Sequence, residues 1–273
     1  MIDLHTHSYF SDGTFSPKQL VEKAESLSIT AMALTDHDTI SGLSEGIKAS
    51  KGKNVTFIPG IELSVTHKPG ELHILGLGLK KWEDSPVLEK INSDRKIRNL
   101  NIIKIMNSQG INITYDDLRK QTKGTIGRPH FASWLVSNGY VKNMNEAFTN
   151  YLTWGKPFFL PRKTIPLEAA IDFIHNSGAY AIVAHPLNIP INFKVLSEKL
   201  DYWLSKGIDG IEVVHSGSKS NMTKRLINFA KERECIMTGG SDFHGENKPH
   251  IKLGRTAKLG KISSEFLPEE LLR

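Results

Sequence analysis

Ile2-Asp3-Leu4-His5-Thr6-His7 opens the chain as a short apolar run that closes on two imidazoles. Side chains alternate faces along a strand, so His5 and His7 point the same way and can meet one metal ion. The arrangement recurs. Met32-Ala33-Leu34-Thr35-Asp36 closes on a carboxylate, and further apolar runs close at Glu62, His73, His185, His215 and Asp242. In a parallel α/β barrel, the C-terminal strand ends and the loops after them supply the active site. Seven runs ended by histidine or carboxylate therefore place metal-ligand chemistry at one mouth of such a barrel.

Helical patterns lie between the runs. Pro17 to Ser28 sets Leu20, Ala24 and Leu27 on one face, with Ser16 as N-cap and Pro17 at the first helical position. Late in the chain, strands are predicted at Ala179 to Ala184, Ile208 to Val214 and Ile236 to Gly239. Helices are predicted at Leu167 to Asn176, Val195 to Ser205 and Lys219 to Glu234. This alternation predicts an α/β fold with parallel strands. Residues 85–156 break the rhythm. Ile91, Ile97, Leu100, Ile103, Ile105 and Met106 predict one long helix, with shorter ones near Tyr115, Pro129 and Asn145. We read 85–156 as a helical insertion between the fourth and fifth strands, and 1–84 with 157–273 as the barrel. Packed at the mouth, the insertion forms a cap able to close over substrate.

With 273 residues, 39% of them hydrophobic, the chain is long enough for one such domain. A single cysteine, Cys235, excludes an internal disulfide framework and any multi-thiolate metal site, which leaves imidazole and carboxylate as ligands. The formal charge of +6 and a pI near 9.2 favour anionic partners, phosphate-bearing substrates first among them. No apolar run approaches the roughly 20 residues needed to cross a bilayer, and no signal-peptide pattern opens the chain. A soluble, cytoplasmic protein with no membrane partner and no obligate protein partner is expected.

Several constellations carry the chemistry. Ser11-Asp12-Gly13 follows the first run and presents a carboxylate in a turn. In Thr35-Asp36-His37-Asp38, His37 is the expected ligand, Asp36 is expected to orient a histidine, and Asp38 is expected to be structural. Pro59-Gly60-Ile61-Glu62 and Glu71-Leu72-His73 follow; Glu62, a carboxylate, is the natural bridge between two cations. Ala184-His185-Pro186, Val214-His215-Ser216 and Gly240-Ser241-Asp242-Phe243-His244 complete the set, with Asp242 and His244 again two apart. No Gly-x-Ser-x-Gly elbow, P-loop or Gly-x-Gly-x-x-Gly fingerprint is present, so serine hydrolases, nucleotide-driven motors and dinucleotide oxidoreductases drop out.

From Asp3-Leu4-His5-Thr6-His7 to Ser241-Asp242-Phe243-His244 the chain resembles the PHP (polymerase and histidinol phosphatase) family of phosphoesterases. The resemblance implies a distorted (β/α)7, TIM-like barrel holding three divalent metal ions. Manganese is the expected metal, with iron, zinc and magnesium as alternatives. Residue by residue, it implies that His5, His7, Glu62 and Asp242 hold one ion. Glu62 would bridge to a second ion on His73 and His185, and Asp12, His37 and His244 would hold the third. The helical insertion and Gly127-Arg128-Pro129-His130 make the chain most similar to nucleotide phosphatase and RNase AM-like members. The implied reaction removes the 3′-phosphate of a nucleoside 3′,5′-bisphosphate such as adenosine 3′,5′-bisphosphate. Stepwise 5′→3′ trimming of short RNA and hydrolysis of histidinol phosphate are the alternatives. A metal-stabilised binding domain that has lost catalysis is the reading from another class. A metal-dependent amidohydrolase would show a metal-bridging lysine at a strand end, and none is found.

For substrate contacts, Arg128 at a helix start can hold phosphate together with free backbone N–H groups. Arg95 and Arg98, three apart on the long helix, either clamp one anion or form a solvated basic face. His130 either touches substrate or caps its helix. Asp12, His37 and His244 are expected to face substrate through the metal site. His215, outside the metal set, is expected to contact phosphate or to protonate a leaving oxygen. His67, His175 and His250 lie off the pattern.

Overall fold

Seven strands in the computed structural model, which describes residues 1–68, 72–82 and 85–272, form one sheet in chain order. They are β1 (Ile2–Asp3), β2 (Ala31–Leu34), β3 (Thr56–Val65), β4 (Leu72–Leu77), β5 (Tyr180–Val183), β6 (Gly210–His215) and β7 (Ile236–Gly240). Hydrogen bonds from Leu4 N to Gly239 O (3.0 Å) and from Asp242 N to His5 O (2.9 Å) bring the last strand back to the first. The sheet thus curls into a barrel. Every residue of β2, β4 and β6 is buried, as strands covered on both faces must be.

The expectation of parallel strands fails at one place. β4 runs antiparallel to both β3 and β5. Only residues 66–71 separate β3 from β4, and a parallel crossover needs about a dozen residues, so the chain can only turn back. The reversal has a chemical consequence, because β4 begins at the mouth where its neighbours end. His73, paired in register with Ser64, therefore enters the site from the start of its strand instead of closing a run. Glu71 of the motif quoted above lies outside the described residues.

Helices α1 (Pro17–Ser26), α2 (Leu43–Ser50), α7 (Leu167–Asn176), α8 (Phe193–Ser205) and α9 (Ser220–Glu232) clothe the barrel. Ser16 caps α1 by accepting from Gln19 N at 3.1 Å, and Pro17 stands at the first turn. The helix ends two residues earlier than the pattern predicts. Ser28 takes φ +56, which turns the chain into β2 and leaves Leu27 exposed while Leu20 and Ala24 are buried.

Between β4 and β5 lie α3 (Pro86–Ser108), α4 (Tyr115–Arg119), α5 (Arg128–Ser137) and α6 (Met144–Ala147), followed by a wide helical turn, Phe148–Leu152. They bury a core of their own, with Ile102, Met106, Leu118, Phe131, Leu135 and Phe158 at its centre, distinct from the barrel core. This layer is fastened to the mouth. Thr125 donates from its amide to Phe10 O (2.7 Å) and from its hydroxyl to His37 O (3.1 Å). Gly124 must be a glycine, since an added Cβ would fall 1.6 Å from Phe10 O. Among the described residues, no helix is long and apolar enough to cross a membrane.

Candidate metal centre

Glu62 sits fully buried within β3 with five imidazoles around one carboxylate. Oε1 lies 2.8 Å from His73 Nδ1 and 2.9 Å from His185 Nε2. Oε2 lies 2.9 Å from His37 Nδ1, 3.3 Å from His7 Nε2 and 3.4 Å from His5 Nε2. His37 reaches this position because its loop extends the sheet: Glu62 N donates to Asp36 O (3.2 Å) and Asp38 N donates to Glu62 O (2.9 Å). From the loop after β7, Asp242 Oδ1 stands 3.2 Å from His7 Nε2 and 3.6 Å from His5 Nε2. Asp12 Oδ1 stands 3.2 Å from His244 Nε2.

All nine expected ligands are thus brought to one mouth, although they group by reach somewhat differently from the implied partition. His5, His7 and Asp242 form one group, and His7, Asp12, His37 and His244 another. His73 joins His37 across Glu62, while His185 joins His5 across it. In each group the ligand atoms lie within 4.8 Å of one another.

The donor set fits divalent ions. Among the described residues His5 Nε2, both His7 nitrogens, His37 Nδ1, Asp12 Oδ1 and Glu62 Oε2 are buried without meeting hydrogen-bond geometry, although they stand close together. Lone pairs that converge without bonding one another are what a cation would satisfy. Nitrogen and oxygen donors with no thiolate suit manganese, iron and zinc. Burial pushes the Glu62 carboxyl up, but His37, His73 and His5 hold it well below the usual carboxylate range. His7 is the counterpart: burial lowers it, while Asp242 and Glu62 raise it to about 9. Burial holds His37 at about 4, keeping it neutral and ready to ligate.

Three loop residues here take left-handed backbone: Asp38 at φ +54, His185 at +30 and Asp242 at +59. Non-glycine residues adopt this conformation at a cost that the surrounding structure must offset, and such strain gathers at functional sites. Gly240 is required by crowding, since an added Cβ would lie 2.2 Å from His5 Cβ and 2.7 Å from Glu212 Oε1.

Glu212 was missed by sequence reasoning. Its Oε1 lies 3.0 Å from His5 Nδ1, and its Oε2 accepts from His185 N at 2.6 Å. It therefore orients two of the expected ligands at once. The signal was a carboxylate inside the apolar run Ile211-Glu212-Val213-Val214. A register shift between Glu212 and Val214 brings His215 into the same site as Glu212. Asp36, by contrast, orients no histidine. It accepts from Ser8 N (2.7 Å), Ser8 Oγ (2.6 Å) and Ser11 Oγ (2.6 Å), and so fixes the loop that carries Asp12. Glu212→Gln is expected to keep the fold and to weaken metal affinity and activity by roughly 10- to 100-fold. Titration of the variant with metal checks this.

Beside the ligands lies a pocket lined by Asp12, His37 and His73 together with Arg95, Arg98, Arg128 and Arg162. Arg162 was not foreseen; its Nη1 lies 3.3 Å from Asp38 Oδ2 and its Nη2 3.5 Å from His73 Nε2. Arg95 Nη2 also bonds Asp38 Oδ2, so Asp38 anchors two guanidinium groups and is more than structural. Arg98 donates to Leu160 O at 2.8 Å. Gly127, Arg128 and Pro129 bring the start of α5 to this pocket. His130 is occupied as a cap, accepting from Gly127 N at 2.9 Å. His215 lies 5.4 Å from the His185 ring, with its Nε2 3.7 Å from Asp242 Oδ2. Off the pattern, His175 pairs with Asp209 and His67 packs on Trp203.

The family model for the PHP domain matches residues 3–148. The chain belongs to the PHP domain family. Over 89% of its length it is 34% identical to a 5′-3′ exoribonuclease of Haemophilus influenzae, of which 89% is covered. It is 31% identical over 96% of its length to a 3′,5′-nucleoside bisphosphate phosphatase of Chromobacterium violaceum, covering 93% of that protein. A solved structure from Bifidobacterium adolescentis, described as a metal-dependent phosphoesterase, superposes with a TM-score of 0.87 at 30% identity. The match covers 99% of this chain and 95% of that one. The expected class, a metal-dependent hydrolase of phosphate esters on a PHP barrel, holds.

Proposed function

We propose that this enzyme removes the 3′-phosphate of nucleoside 3′,5′-bisphosphates, adenosine 3′,5′-bisphosphate among them, leaving the 5′-monophosphate. The observation that carries the reading is the junction of two anion sites: Asp12, His37 and His73 of the ligand cluster line the same pocket as four arginines. A substrate with two phosphates can place one at the ligands and the other among Arg95, Arg98, Arg128 and Arg162. We assign three divalent ions, manganese first, to His5, His7, Asp12, His37, Glu62, His73, His185, Asp242 and His244, and a cytoplasmic setting to the enzyme. When bound, such ions supply a nucleophile from water near neutral pH and offset charge on the phosphoryl oxygens.

The chain's own residues do the rest. Arg128, at the first turn of α5, offers its guanidinium together with the helix terminus to the second phosphate. Glu212 holds the His5 and His185 segments in place, and Asp38 holds Arg95 and Arg162. His215 accepts from Gly217 N at Nδ1 (3.1 Å), so the ring N–H is on Nε2, the nitrogen near Asp242. From there it can donate a hydrogen bond to a phosphoryl oxygen or to the departing 3′-oxygen, whose proton comes from water.

The test is product identification with added manganese on adenosine 3′,5′-bisphosphate, a 5′-phosphorylated short RNA and histidinol phosphate. Release of the 5′-monophosphate from the bisphosphate, with KM raised about tenfold in Arg128→Ala, is the expected result. Inactivity on all three would overturn the reading. Stepwise trimming of RNA hydrolyses the equivalent ester on the 3′ side of a nucleotide, and would appear in the second arm.

A further inference from the structure

Trp154 is 80% exposed, the most exposed large hydrophobic side chain among the described residues. Solitary surface aromatics are common and carry no message by themselves. Trp154 differs in what it touches. Its ring lies 5.4 Å from that of Phe159 at an angle of 60°, and Phe159 lines the arginine pocket beside Asp12, His37 and His73. The Arg128 guanidinium lies 5.6 Å from the Phe159 ring centre. Trp154, Phe159 and Arg128 therefore form an unbroken series of flat groups from solvent to the site.

The local chain holds this series in place. Lys156 N donates to Thr153 O (3.0 Å), Phe159 N donates to Lys156 O (3.0 Å), and Gly155 takes φ +77, folding residues 153–159 into successive turns. Phe158 is buried and stacks on Tyr151 at 5.2 Å, which pins the segment to the core of the insertion. Trp154 is left outward, with the exposed cation of Lys156 two residues away.

We infer that Trp154, backed by Phe159, is a stacking subsite for a base of a single-stranded oligonucleotide, a base other than that of the nucleotide held in the arginine pocket. Every base has a π face, so an aromatic platform beside basic groups binds single strands with little regard to sequence. Trp154 stands outside the lining of the pocket, and a mononucleotide bisphosphate has no second base to bring to it. The subsite thus distinguishes oligonucleotides from mononucleotides, and the inference rests on the nucleotide reading above.

The test compares the manganese-loaded enzyme with Trp154→Ala and Trp154→Phe on adenosine 3′,5′-bisphosphate and on a 5′-phosphorylated RNA tetranucleotide. Trp154→Ala is expected to lower kcat/KM about tenfold on the tetranucleotide while leaving the bisphosphate unchanged, with Trp154→Phe restoring most of the loss. Equal loss on both substrates, or none on the tetranucleotide, would overturn the subsite. Fluorescence anisotropy with a labelled phosphorothioate tetranucleotide gives an answer independent of turnover. If the wild type hydrolyses neither substrate, the function above fails, and this binding measurement decides alone. Weaker binding by Trp154→Ala upholds the platform, and equal binding refutes it.

Discussion

Glu62→Gln is expected to lower kcat by about a thousandfold, equivalent to ~4 kcal/mol of transition-state stabilisation. The amide keeps the size of the side chain and removes its charge. Five imidazoles stand within 2.8–3.4 Å of this carboxylate, from strand β4 and the segments after β1, β2 and β5. Among the described residues no other is shared by so many of the proposed ligands, so its loss uncouples the cluster and not a single ion. Elemental analysis of the variant should show fewer bound ions, while far-UV circular dichroism stays that of the wild type. Full metal content with full turnover would remove Glu62 from the centre of the site.

Asp38→Ala should damage both stability and substrate binding. Asp38 is buried, accepts from Ser64 N at 3.1 Å, and receives Arg95 and Arg162 on its other oxygen. Burial raises its carboxyl, but Arg95 and Arg162 hold it below the usual range. Removing one partner of a buried ion pair costs about 3–5 kcal/mol, because the cations left behind stay desolvated. For a chain of this size that corresponds to a fall in Tm of roughly 10 °C. Freed of their anchor, the two arginines no longer meet the second phosphate in one geometry. KM for the bisphosphate is therefore expected to rise at least about tenfold. Asp38→Asn separates the two effects, since asparagine tolerates φ +54 and can still accept from Ser64. It should keep more of the Tm and still show the raised KM; an unchanged KM in both variants would exclude the anchoring role.

Much of this was legible in the chain because a barrel strand exports chemistry at its end. The segments after β1, β2 and β7, with Glu62 inside β3, all carried side chains that the fold brings together. The structure departs from the sequence reading where geometry is not periodic. His73 looked like a strand end because residue spacing does not show strand direction, although the short link 66–71 carried that information. Glu212 was hidden because a carboxylate inside an apolar run resembles an interruption until its partner His5 is known. Arg162 lies outside any regular element, and only the closing of the insertion on the barrel places it opposite Asp38. Asp36 and Asp38 sit two apart in one loop yet serve the Ser8–Ser11 turn and the arginine pocket, a division that spacing alone cannot make.

The most direct measurement is the metal content of the purified enzyme alongside release of 5′-monophosphate from adenosine 3′,5′-bisphosphate, before and after chelation. The account predicts a cluster of three divalent ions per chain, loss of hydrolysis when they are removed, and recovery when manganese is restored. Undiminished hydrolysis by metal-free protein would contradict it.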